Sequence, residues 1–183
     1  MRAKHAFNLI EISIALGVIA VGIVAVVGAF PLAANKTRDA MAETYAAQAA
    51  ADMLALIEYQ GRQNWPVYFE GSTVLPAAKP SGGTARGGVI ADTNGTIYGT
   101  ATPGAYHIIR YTDANGNGTF DIGEIVDFEA EMLVWRSLVS EDWKTSNFPY
   151  SEAVRLNVEI SWPVAVPYAN RQKAYYTTEL SRR

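Results

Sequence analysis

Asp113, Asn115, Asn117, Thr119, Asp121 and Glu124 have the side-chain types and the spacing that wrap a calcium ion. In Asp113-Ala114-Asn115-Gly116-Asn117-Gly118-Thr119-Phe120-Asp121-Ile122-Gly123-Glu124, the first three donors offer side-chain oxygens at alternate positions, and Gly118 permits the sharp turn. Thr119 would add a backbone carbonyl, Asp121 a direct or water-bridged oxygen, and Glu124 both oxygens of a carboxylate. With Asn at two of the ligand positions, the expected affinity is modest, ~10⁻⁵ to 10⁻³ M as in extracellular modules. The flanks read as strands rather than paired helices, so the expected role of Ca2+ is structural. The same residues can also make a plain hairpin turn, for which Asn, Asp and Gly are the usual choices.

A second candidate is a single acid. Glu11 stands at the head of a run in which every side chain from Ile12 to Ala34 except Ser13 is apolar, Gly or Pro. A helix of that length, rising 1.5 Å per residue, crosses a hydrocarbon core of roughly 30 Å. An ionised acid facing lipid costs up to about 3 kcal/mol on insertion scales. No Lys or Arg lies between Lys4 and Lys36. The counter-charge must therefore come from the leader, from another chain, or from an α-amine made by cutting just upstream. A cleaved secretory signal would have a shorter apolar core without an acid at its head. An ordinary signal anchor would leave Glu11 without a task. Arg2 and Lys4 on one flank balance Lys36 and Arg38 on the other, so charge alone does not orient the span.

Ala6-Phe7-Asn8-Leu9-Ile10-Glu11, behind the basic leader Met1-Arg2-Ala3-Lys4-His5, resembles the processing site of type IV pilins and of the pseudopilins of type II secretion. The resemblance covers about the first thirty residues. It implies that a prepilin peptidase cuts between Ala6 and Phe7, that Phe7 becomes an N-methylated terminus, and that Glu11 is the acid that meets the α-ammonium of a neighbouring subunit during assembly. It further implies a leader on the cytoplasmic side of a bacterial inner membrane and a C-terminal domain in the periplasm. The strand ending in Trp162-Pro163, followed by Tyr175-Tyr176-Thr177-Thr178-Glu179-Leu180, is similar to the tail of minor pseudopilins and minor pilins.

Composition bounds the remainder. Of 183 residues, about 145 lie beyond the leader and span, enough for one domain with its own core. The formal charge is −3, and loss of the two leader bases Arg2 and Lys4 takes it to −5. A mildly acidic body argues against a nucleic-acid partner. Cysteine is absent, so the domain has no disulfide. The two histidines are His5 and His107, too few for most His-based zinc sites, and His107 reads as a strand residue.

From Thr37 to Gln60 there is no Gly or Pro, and Ala42, Ala46, Ala49, Met53, Leu56 and Ile57 recur at helical spacing. Pro31 is a candidate kink and Gly61 a candidate C-terminal cap. The span and this stripe together predict one helix from about Phe7 to Gln60, roughly 80 Å long. Gly and Pro then punctuate the chain to Ala105, with Asn94-Gly95 marking a small hairpin. Strands are expected over Tyr106–Thr112, Ile125–Trp135, Val154–Trp162 and Ala174–Leu180. On the second of these, Glu129 and Glu131 alternate with apolar residues and read as a solvated face rather than as a catalytic pair.

No phosphate loop opens a helix, and there is neither a nucleophile elbow nor a Cys or His pair. The expectation is a non-enzymatic α+β protein: a long N-terminal helix packed on an antiparallel sheet. Its parts are a leader 1–6, a membrane and assembly helix 7–34, an amphipathic extension 35–61, and a β-rich domain 62–183. Expected partners are the prepilin peptidase, other pilin or pseudopilin subunits and inner-membrane lipid, with no nucleic acid. The alternative is a membrane-anchored, calcium-dependent binding or adhesion domain that does not polymerise.

Overall fold

The computed structural model describes residues 8–71, 74–83, 88–93, 96–117, 120–121, 123–140 and 147–182. The chain forms two compact units, divided between Met41 and Ala42. One helix, α1 (Leu9–Gln63), contributes to both.

In the first unit α1 is exposed on every side, from Leu9 through Arg38. Its backbone groups are satisfied within the helix, the condition for a segment that must sit in lipid. The polar side chain in the apolar run, Ser13, donates to the Leu9 carbonyl at 2.9 Å, and Thr37 donates to the Ala33 carbonyl at 3.0 Å. Pro31 lies inside the helix without ending it. The most apolar 18-residue window of α1 has a mean hydropathy of 2.7, long and apolar enough to cross a membrane.

In the second unit α1 packs on an antiparallel sheet of six strands: β1 (Gly88–Thr93), β2 (Thr96–Thr102), β3 (Ala105–Thr112), β4 (Ile125–Ser137), β5 (Ala153–Trp162) and β6 (Gln172–Ser181). They neighbour one another in chain order, as a meander. The buried stripe of α1 is Ala46, Ala49, Ala50, Met53, Ile57 and Gly61. Leu56, expected in that stripe, is instead 42% exposed. The stripe drifts because 3.6 residues per turn brings Ala50 and Gly61 inward in its place. Gly61 is not a cap, since α1 continues to Gln63; a Cβ there would overlap the Phe69 ring, which lies directly on the helix backbone.

Even-numbered positions of β4 and β5 face α1. Phe128, Ala130, Met132 and Val134 join Val154, Leu156, Val158, Ile160 and Trp162 in one apolar core with Ile108 and Leu180. The α+β architecture expected from the sequence, a long helix on an antiparallel sheet, is the one observed. The two clearest alternating segments, β5 and β6, pair residue for residue from Ala153↔Ser181 to Trp162↔Gln172. Asn94 and Gly95 lie outside the described residues, between the paired positions Thr93 and Thr96.

The odd-numbered face departs from expectation. Glu131 is only 4% exposed and Glu159 fully buried, so Glu131 is not on a solvated face. Two irregular segments cover it, residues 74–83 and the turn after β5 that contains Tyr168–Asn170. Period-two alternation says which way a strand residue points, whereas burial depends on what the rest of the chain lays over it.

Candidate functional site

Glu11 lies in the first turn of α1. Its Oε2 accepts a hydrogen bond from the Asn8 N–H at 3.3 Å, while Asn8 Oδ1 accepts one from the Ile10 N–H at 3.4 Å. The pair acts as a reciprocal cap on the helix N-terminus, where backbone donors have no intrahelical partner and negative charge is favoured. Both contacts are long and exposed, so the carboxylate can be drawn to a stronger donor. Ala6 and Phe7, the two processing positions, lie outside the described residues.

The predicted calcium loop is the connection between β3 and β4. Thr112 and Ile125 are register partners, so residues 113–124 form the whole of the hairpin loop. A register shift between Arg110 and Tyr111 precedes it, and the Tyr111 and Phe120 rings meet edge-on with centroids 5.2 Å apart. Five of the six predicted ligands are described; Thr119 lies outside the described residues, as does Gly118.

Asp121 Oδ2 accepts from the side-chain amides of both Asn115 and Asn117 at 2.8 Å. Asp113 Oδ1 accepts from the Gly116 N–H at 2.7 Å, and Glu124 Oε2 from the Asp121 N–H at 3.0 Å. Gly116 and Gly123 take positive φ of 72° and 106°, a conformation glycine adopts at no steric cost. The loop thus brings Asn115, Asn117 and Asp121 to one point through its own hydrogen bonds. Among the described residues, no group of three or more His, Cys, Asp or Glu is arranged to hold a metal. The donor set suits calcium if the two Asn amides turn their oxygens inward. Glu124 Oε1, a buried atom without a hydrogen-bond partner among the described residues, is the oxygen that bidentate ligation would use.

The covered face of the sheet holds a charge cluster that periodicity does not reveal. Arg171 Nη1 donates to Glu131 Oε2 at 2.8 Å, with side-chain exposures of 6% and 5%. The Gly83 N–H donates to the same oxygen at 2.7 Å. Arg171 also ties down its own turn, donating to the Val166 carbonyl at 2.7 Å and the Val164 carbonyl at 3.1 Å. Glu159 accepts from Lys79 Nζ at 2.5 Å and from the Tyr168 hydroxyl.

Burial alone would raise the Glu159 pKa, but hydrogen bonds from Lys79, Tyr168 and Tyr175 and the Lys79 charge hold it below the ordinary carboxylate value. Burial would likewise lower the Lys79 pKa, yet bonds to Glu159 and Tyr168 raise it instead. Glu131 and Glu159 were legible as strand residues on the polar face. Their partners stand 40 and 80 positions away along the chain, in segments with no periodicity.

His107 lies on β3, as expected, with Nε2 2.9 Å from Glu129 Oε1.

The chain matches no protein-family model, no curated protein and no solved structure.

Proposed function

We propose that the chain is a structural subunit of a filament-forming envelope machine: a minor pilin or pseudopilin of a type IV pilus, a type II secretion system or a related assembly. The observation that carries this reading is the placement of Glu11 in the first turn of a helix whose apolar length is exposed all round. A simple anchor needs the apolar length but not the acid. An assembling helix needs both, because lipid satisfies the apolar surface before assembly and neighbouring helices satisfy it afterwards. The prepilin-like residues around Ala6 and Phe7 supply the amine that would meet Glu11. In this reading the leader is cytoplasmic, the peptidase acts at the inner membrane, and the β-rich domain lies in the periplasm.

The assembly interface is tested by a photo-activated cross-linking residue at Val21, which is exposed in the middle of the apolar run. In the native host, cross-links to other pilin-like subunits are expected. Adducts with lipid alone would favour the anchored, non-polymerising domain.

Calcium has a structural part in the same proposal. An ion in loop 113–124 would fix the β3–β4 hairpin in a chain without cystines, binding the folded form and stabilising it by mass action. The full-length protein in detergent is expected to melt several degrees higher in millimolar calcium than in chelator, with the difference lost in Glu124→Ala. Equal melting of the wild type under both conditions would leave the loop a plain turn.

A further inference from the structure

On the covered face of the sheet three aromatic rings surround the Lys79 ammonium. Lys79 Nζ lies 5.8 Å from the centroid of Trp135, 5.6 Å from that of Tyr168 and 5.8 Å from that of Tyr175. Rings at this range attract a cation through their electron-rich faces. Behind them Glu159, with no exposed surface, supplies a full negative charge and a direct hydrogen bond to the ammonium.

Three of the four walls are built on the sheet. Trp135, Glu159 and Tyr175 stand on the adjacent strands β4, β5 and β6, and Glu159 and Tyr175 are register partners. Tyr168 is braced by Lys173, whose Nζ lies 3.9 Å from its ring centroid, and by Gly82, where a Cβ would overlap the ring.

The occupant is held less firmly than the walls. Residues 74–83 contain neither helix nor strand. Leu75 is buried, and the Pro76 carbonyl accepts from the Arg136 N–H at 2.9 Å, which anchors the start of the segment. Between that anchor and the Gly83 N–H, which holds the far end on Glu131, Ala77, Ala78, Lys79 and Ser81 are exposed. Segments with few buried apolar contacts open at low cost compared with the sheet beneath them.

We propose that the recess formed by Trp135, Tyr168, Tyr175 and Glu159 is a binding site for a primary alkylammonium, filled in this structure by Lys79 as a tethered ligand and open to exchange for the lysine side chain of another polypeptide. The carboxylate selects the ligand class. Glu159 Oε1 is satisfied by the Tyr168 hydroxyl, and Oε2 by the Lys79 ammonium. A quaternary ammonium could fill the rings, but it has no N–H to replace the charge-assisted bond that Lys79 makes to Oε2, a loss a primary ammonium avoids. The tether sets the competition. A short linker presents its ligand at an effective concentration in the millimolar range, so an incoming lysine displaces Lys79 only when held alongside at a comparable local concentration. This site does not depend on the filament reading, and either class of membrane-anchored protein could use it.

The experiment uses the full-length chain in maltoside micelles, whose headgroup carries no ammonium. Lys79→Ala empties the recess. Nα-acetyl-lysine methylamide is then titrated while the indole N–H resonance of Trp135 is followed. Saturable binding to Lys79→Ala in the millimolar range is expected, weaker by at least about tenfold in the wild type because the tether competes. It should be lost when Glu159→Gln is added, and tetramethylammonium should bind at least about tenfold more weakly than the lysine amide. Should Lys79→Ala unfold without ligand, the lysine amide is expected to restore its folded spectrum. The proposal is overturned by a folded Lys79→Ala that binds nothing, by an unfolded one that the amide does not rescue, by equal binding to wild type and variant, or by equal binding of the quaternary ion.

Discussion

Glu11→Ala is expected to give a protein that inserts into the membrane, is cut before Phe7, and fails to enter a filament. Before assembly the carboxylate does no more than cap its own helix through the Asn8 N–H, a long and exposed contact. Losing a surface cap costs about 1 kcal/mol, which a helix held in lipid would tolerate. In a filament the carboxylate would face the α-ammonium of a neighbour away from water, and removing one member of a buried pair typically costs about 3 to 5 kcal/mol. At about 1.4 kcal/mol per tenfold, that lowers incorporation by roughly two to four orders of magnitude. Glu11→Asp keeps the charge with a shorter reach and is expected to fall between. Co-purification with partner subunits reads the difference. An alanine variant that assembles as well as the parent would make Glu11 a bystander.

The second large effect lies in the covered face of the sheet. Arg171→Met removes a cation paired with Glu131 in a site where both side chains are almost fully buried. The expected loss is about 3 to 5 kcal/mol, lowering Tm by roughly 10 °C for a domain of this size. Adding Glu131→Gln should recover much of it, because a neutral amide there does not need the Arg171 charge.

The neighbouring Glu159 contributes with a definite sign in pH. Its folded pKa lies below the ordinary 4.5, so its contribution is fully present above about pH 4.5 and is lost as pH falls through the folded value. Lys79 works in the opposite sense. Its folded pKa lies above the ordinary 10.5, so its share persists below that pH and disappears only as pH rises through the folded value. Thermal melts between pH 3 and 7 are expected to show the acid limb in the wild type and a shallower one in Glu159→Gln. Parallel curves would mean that Glu159 adds nothing to stability.

Much of this architecture could be read from local pattern. The apolar run from Ile12 and the alternation of Val154 to Trp162 each report an environment imposed on consecutive residues, and helix and strand follow from their periods. The loop from Asp113 to Glu124 was legible as a connection because Asn, Asp and Gly are turn formers, and it joins β3 to β4. What stayed hidden was long-range. Nothing near Glu131 or Glu159 announces Arg171 or Lys79, because those partners arrive on irregular segments whose path is decided by tertiary packing. Gly61 misled for a related reason: a glycine near a helix end usually caps it, whereas here it clears space for Phe69.

The filament-subunit reading stands or falls on the chemistry of one bond. Intact-mass and peptide mass spectrometry of the protein purified from its native host, with the prepilin peptidase present, defines the mature N-terminus. The expected result is a chain that begins with N-methylated Phe7 and has lost Arg2 and Lys4. A chain that retains the leader, or begins near Asn35 after removal of the whole apolar run, would contradict the account.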